Sequence, residues 1–180
     1  MRHFAPMQWS KLKARVEAFF APSVAGRVEL RTTRYRHVHD GEGRGWITID
    51  GIEVYNFCTL KYWVEWNALS AELRQAHGVT DLRNPEQRQA YHDAGREAER
   101  ILAERGILSQ GWFETSLAEY LTLALDDALA SDDLVHRALA VLDGRLGKRR
   151  LQSFPLRADE SPLVRRLLDL RCEAEGVRRR

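Results

Sequence analysis

The sequence predicts an α+β fold: an N-terminal helix, a three-stranded antiparallel β-meander and a mostly helical C-terminal half. Three observations carry this reading. Apolar residues recur at helical spacing over residues 9–20 and again from residue 59 onward. Between residues 28 and 57 the period drops to two. Asp50-Gly51 then sits between Ile49 and Ile52, where a two-residue hairpin turn needs positive φ at both positions.

The elements follow in order. Trp9, Leu12, Val16, Phe19 and Phe20 share one helical face, Lys11, Lys13, Arg15 and Glu17 surround it, and Pro22 and Gly26 end the helix. Val28, Leu30 and Thr32 alternate with Arg27, Glu29, Arg31 and Thr33 as the first strand. The run Asp40-Gly41-Glu42-Gly43-Arg44-Gly45 reads as a flexible hairpin loop, followed by strands Trp46–Ile49 and Ile52–Phe57. A two-residue turn at Asp50-Gly51 sets Ile49 opposite Ile52 and Ile47 opposite Val54, an apolar face continued by Val28 and Leu30. The opposite face pairs Trp46 with Tyr55 and Thr48 with Glu53, and adds Phe57, Arg31, Thr33 and Tyr35.

From Thr59 the chain reads helical. Tyr62, Trp66, Leu69, Leu73 and Ala76 form one stripe, and Leu60, Trp63 and Val64 a second, which predicts a helix buried from its first turn. Pro85 behind a capping Asn84 opens the next helix, through Tyr91, Ala94, Ala98, Ile101 and Leu102 to Gly106. Trp112–Leu125 reads as an apolar helix, Asp126–Asp133 as a break, and Leu134–Leu142 as a further helix. Ser161-Pro162 opens the last one. The apolar density of residues 112–142 fits either a helical core or a subunit interface, and so a homodimer.

The 180 residues, 44% hydrophobic and 30% charged, suit one ordered domain rather than a disordered chain. Within it, residues 8–58 form the helix and meander, 59–155 the helical part, and 156–180 a C-terminal helix with a basic tail. No apolar run approaches the ~20 residues of a spanning helix, so no membrane association is expected. The first residues lack the apolar stretch of a signal peptide, and Cys58 and Cys172 form neither a metal-ligand spacing nor a disulfide framework. A cytoplasmic setting follows, and no cofactor is expected. Charge is uneven. Residues 1–66 carry 10 Lys+Arg against 7 Asp+Glu (+3), residues 67–143 carry 7 against 14 (−7), and residues 144–180 carry 11 against 5 (+6). This pattern suits either an anionic partner or neutralisation of the middle by the tail inside the fold. Arg outnumbers Lys 24 to 4, which reads as codon bias rather than phosphate recognition.

Several stretches together resemble a widespread family of uncharacterised bacterial proteins. They are Gln8-Trp9-Ser10-Lys11-Leu12-Lys13, Gly26-Arg27-Val28, Thr33-Arg34-Tyr35-Arg36 with His39-Asp40, and Gly43-Arg44 with Trp46-Ile47-Thr48-Ile49-Asp50-Gly51. Ala138-Leu139-Ala140-Val141-Leu142-Asp143 followed by Arg145-Leu146-Gly147-Lys148-Arg149-Arg150-Leu151 looks like the same family's C-terminal signature. Gly144 departs from the pattern, which favours arginine there. The resemblance implies a shared fold and a bacterial source, and brings no activity, cofactor or catalytic residue.

Candidate chemistry is sparse. His37, His39 and Asp40 offer two imidazoles and a carboxylate for zinc, iron or manganese, the basis of an alternative reading as a metal-dependent hydrolase. No third ligand is fixed by spacing, and a polar strand end whose histidines are solvated or hydrogen-bonded is the simpler account. Gly41-x-Gly43-x-Gly45 lacks the helix that a phosphate loop must open, since a strand follows. Asp50 with Glu53 is similar in outline to the acidic pair of metal-dependent nucleases, but the turn explains Asp50 and Tyr55 stands where a lysine belongs. Cys58 reads as core. The face bearing Arg31, Tyr35, Trp46 and Tyr55, with Arg34 and Arg36 beside it and Lys148, Arg149 and Arg150 as further basic groups, suits single-stranded nucleic acid: bases stack on rings while cations track phosphates. The competing reading buries these aromatics under helices as a second core layer. The leading expectation is thus a non-enzymatic binding protein for nucleic acid, with a protein–protein adaptor as a further alternative.

Overall fold

The computed structural model describes residues 7–36, 42–81 and 83–179. It has an N-terminal helix, a three-stranded antiparallel sheet and a mostly helical C-terminal half. Helix α1 spans Trp9–Glu17 with Leu12 and Val16 buried, ending one turn before Phe20. Strands β1 (Val28–Arg34), β2 (Gly43–Ile49) and β3 (Ile52–Cys58) pair in the order β1-β2-β3. Asp50 and Gly51 hold φ of 50° and 82°, as the hairpin turn demands.

Two sequence expectations fail within the sheet. The segment read as a flexible loop supplies the first half of β2, because Gly43 and Gly45 are strand residues chosen for close approach rather than for flexibility. A Cβ on Gly45 would sit 2.3 Å from Cδ1 of Phe113, and one on Gly43 would sit 1.9 Å from the Thr33 carbonyl oxygen. The apolar face is also incomplete. Val28, Leu30, Ile47 and Ile49 are buried, whereas Ile52 is 65% exposed.

Helix α2 spans Thr59–Ala76, and a short turn at Pro85–Gln87, capped by Asn84 Oδ1 accepting from the Glu86 N–H at 2.9 Å, leads into α3, Arg88–Glu104. Beyond lie α4 (Gln110–Tyr120), α5 (Leu125–Ala130), α6 (Leu134–Leu142), α7 (Lys148–Gln152) and α8 (Pro162–Glu175). The expected break at 126–133 holds α5 instead, since Asp126 and Asp127 suit the positive end of a helix's first turn.

The described residues group into two units. The first takes in α1, the chain up to Thr32, Gly45–Asn56 and everything from Trp112 on. Its floor is the apolar side of β1 and β2 against α1 and α4: Trp9 lies 6.1 Å from Phe113, and Glu17 Oε1 accepts the Leu30 N–H at 3.0 Å. That carboxylate satisfies a donor on an edge strand. All of Val135–Leu142 is buried, so the apolar density of this region is a core within the chain.

The last turn of α6 is closed by α8. Arg171, 2% exposed, donates from Nη1 to the carbonyls of Val141 (3.1 Å) and Asp143 (3.0 Å), and from Nη2 to that of Leu146 (3.1 Å). Its Nε reaches Glu175 Oε1 at 2.5 Å, which also accepts from Ser23 Oγ at 3.0 Å. One guanidinium thus supplies the donors that carbonyls beyond a helix end lack. Arg137, also buried, pairs with Glu160. Basic tail and acidic middle neutralise one another here through Arg150–Asp126 and Arg157–Asp132.

The second unit holds Thr33–Arg44 and Phe57–Gly111. Helices α2 and α3 pack closely at Gly95, whose carbonyl accepts from Trp66 Nε1 at 3.3 Å and where a Cβ would lie 3.4 Å from the indole. Ala94, Ala98 and Leu102 of α3 are fully buried, and the Arg74 guanidinium sits 4.9 Å from the Tyr91 ring centre. The opposite side of α2 departs from expectation. Leu60, Trp63 and Val64 are 43%, 42% and 69% exposed. Packing on α3 occupies only the Trp66 side of the helix, so the second apolar stripe is left in solvent.

Candidate functional site

The sheet face expected to carry ligand contacts is only partly open. Phe57 is fully buried and Thr48 is buried, its Oγ1 without a hydrogen-bond partner among the described residues, while Trp46 and Tyr55 are half-buried. Burial pushes the Tyr55 phenol up to about 12. The second-core-layer reading therefore holds at Phe57 and Thr48. Arg31 is exposed, but its guanidinium binds Glu29 at 2.6 Å, two residues back on the same strand. In the C-terminal basic run, Lys148 donates to the Glu175 carbonyl at 2.8 Å, complementing the end of α8, and Arg150 pairs with Asp126. Arg149 is exposed with no carboxylate partner among the described residues. His37, His39 and Asp40 lie outside the described residues. Among those described, no group of three or more His, Cys, Asp or Glu side chains could hold a metal ion. Asp50 is bound by Arg27 at 2.7 Å, and this partner holds its carboxyl below the usual range.

The end of the sheet within the second unit is different. Arg34 and Arg36 are exposed and have no carboxylate partner among the described residues. Between them Tyr35, half-buried, donates its N–H to the Glu42 carbonyl at 2.7 Å and brings its hydroxyl to 3.5 Å from Cys58 Sγ. Cys58 ends β3 and caps α2, with φ −94° and ψ 113°. Burial alone would raise its thiol. The Tyr35 hydroxyl, the N–H groups of Lys61 and Leu60 and the charge of Arg44 outweigh that and lower it. Lys61 is exposed on the first turn of α2. Arg44 and Lys61 thus lie at the N-terminus of α2, in a setting that favours negative charge, and Arg34 and Arg36 stand on either side of Tyr35 in the chain.

Cys58 therefore corrects the expectation of an inert core cysteine. It is expected to react with iodoacetamide well before Cys172, whose thiol burial pushes up. Peptide mapping after brief alkylation near pH 8 checks this. Tyr35→Phe should slow the Cys58 reaction several-fold, and equal labelling of the two cysteines would contradict the assignment.

Sequence reasoning missed a second polar cluster, in the first unit. Asp143, fully buried, accepts from the Tyr120 hydroxyl at 2.7 Å and from Arg145 Nη2 at 2.6 Å. Burial opposes its charge, but these donors win and hold the carboxyl low. Arg145 then lies 4.6 Å over the Phe19 ring, which meets Tyr120 edge-on at 5.9 Å. The short Asp143–Arg145 spacing was a local hint, whereas Tyr120 comes from a distant helix. The backbone donors beside it also serve the fold: Gly144 N–H bonds the Phe19 carbonyl at 2.8 Å, and Ala21 N–H that of Leu142 at 2.8 Å. A Cβ on Gly144 would meet Ala21 Cα at 3.4 Å, an ordinary contact, so packing does not demand glycine where arginine was expected. Nearby, a cleft of about 390 Å³ is lined by Leu129, Leu146 and Phe154, with the Arg150–Asp126 pair among its walls. It lacks the convergent polar groups that fix a small ligand.

No curated protein matches the chain, and neither does any solved structure. A family model matches residues 8–172, taking in both the hairpin and the Asp143–Leu151 segment. By that match, which covers most of its length, the chain belongs to the SF0329 protein family, an uncharacterised family with no function assigned.

Proposed function

We propose that the protein binds single-stranded nucleic acid through the basic end of the sheet in its second unit, with Arg34 and Arg36 contacting phosphates. The observation that supports this is two exposed guanidiniums flanking Tyr35 that have no carboxylate partner among the described residues, with Arg44 and Lys61 around the adjacent helix end. Elsewhere most of the basic residues first suspected are committed, Arg31 to Glu29, Lys148 to Glu175 and Arg150 to Asp126, and Arg149, without a carboxylate partner among the described residues, stands alone between two of them. Phosphate contacts come from cations that have no carboxylate to give up. The binding surface thus narrows from the whole aromatic face to one end of it. Trp46 and Tyr55 keep only part of their rings for stacking.

An anisotropy titration of labelled single-stranded RNA and DNA at two salt concentrations tests it. Binding is expected to weaken steeply with salt. Arg34→Ala/Arg36→Ala, both at exposed positions, should cut affinity at least tenfold and flatten the log–log salt slope by about 1.4, at roughly 0.7 for each single-strand phosphate that is no longer neutralised. No binding at low salt, or a double variant that binds as tightly as the parent, overturns the proposal. Preference for duplex over single strands overturns the single-strand assignment.

A further inference from the structure

The exposed stripe on α2 is a second surface, on the same unit and independent of the basic end. At about 3.6 residues per turn, Leu60, Val64, Asn67, Ala68 and Ala71 fall on one line, with Trp63 along one edge, and all six are exposed. Packing on α3 does not use this line, and it is graded. Its N-terminal half is large (Leu60, Trp63, Val64) and its C-terminal half small (Asn67, Ala68, Ala71). Lys61 and Glu72, also exposed, are eleven residues apart, about three full turns, so both lie on the other edge.

We propose that this stripe is a self-association surface, closed by the same stripe of a second copy packed antiparallel about a two-fold axis. The axis of such a pair stands perpendicular to the plane of the two helices, so each edge meets the same edge of its mate with its direction reversed. Lys61 of one copy then lies beside Glu72 of the other, and the pairing occurs twice. Large residues meet small ones, Val64 against Ala68, which lets the helices approach as ridges into grooves. Parallel pairing gives neither result. It sets Val64 on Val64 and sends Lys61 and Glu72 to opposite edges. The complementarity of charge and size within one stripe is what selects a second copy as its occupant.

Sedimentation velocity across a dilution series tests this. The wild-type protein is expected to pass from monomer to dimer as its concentration rises. Val64→Asp, at an exposed position, should leave the protein folded by circular dichroism and monomeric throughout. Lys61→Glu and Glu72→Lys should each weaken the dimer, and the double variant K61E/E72K should restore it. A wild-type chain that stays monomeric at the highest concentration overturns the proposal. So does a dimer that survives Val64→Asp, which would put the interface elsewhere. Failure of the double swap to restore association overturns the antiparallel arrangement.

Discussion

Replacing Arg171 by leucine is expected to cost about 3–5 kcal/mol of stability, the range seen when one partner of a buried charged network is removed. Leucine fills most of the apolar volume but donates nothing. The carbonyls of Val141 and Leu146 then lose the Arg171 donor in the interior, that of Asp143 keeps the Leu146 N–H, and Glu175 keeps Ser23. Each buried acceptor left unmade costs about 1–3 kcal/mol, so the total is set by the orphans rather than by the lost ion pair. Arg171→Lys should recover only part, because one ammonium cannot reach carbonyls that a planar fork spans. Urea unfolding of the three proteins checks this. A leucine variant within 1 kcal/mol of the parent would mean that water satisfies those carbonyls.

The second large effect is expected at Gly45. Alanine there places a methyl group 2.3 Å from the Phe113 ring, inside any tolerable contact. Phe113 is fully buried, so the ring has no free space to enter. A loss of about 2–3 kcal/mol is expected, as for overpacking of a filled core. The cause is testable by coupling: Phe113→Leu made together with Gly45→Ala should cost less than the two single changes added. Strict additivity would show that the glycine serves the backbone and not the ring.

These two positions also mark how far the sequence could be read. The hairpin was legible because Asp50-Gly51 has one dominant structural use, and the α3 entry because Asn84 and Pro85 act locally. Gly43 and Gly45 misled for the same reason: glycines in a row signal a turn locally, while here Gly43 makes room for the neighbouring strand's Thr33 carbonyl and Gly45 for a ring from a helix some seventy residues on. Arg171 left a trace that charge concealed, since Leu163, Leu167 and Arg171 recur every four residues along one buried stripe. On α2 the two apolar stripes were visible, but spacing cannot say which one finds a partner within the chain. The Tyr35–Cys58 contact joins residues 23 apart through strand pairing, and only the folded sheet reveals it.

The first unit is assembled from separated stretches of chain, and this bears on its synthesis. Helices α2 and α3 leave the ribosome in succession and can pair at once, as contacts close in sequence do. Helix α1 and the Gly45–Asn56 hairpin emerge earlier, yet α4, α6 and α8 complete their surroundings only much later. The apolar side of β1 and β2 must therefore wait for its α4 cover while α2 and α3 are translated. Arg171, which locks the end of α6, arrives on the last described helix to be made. Nascent chains stalled before α8 clears the exit tunnel are the ones that should engage a chaperone.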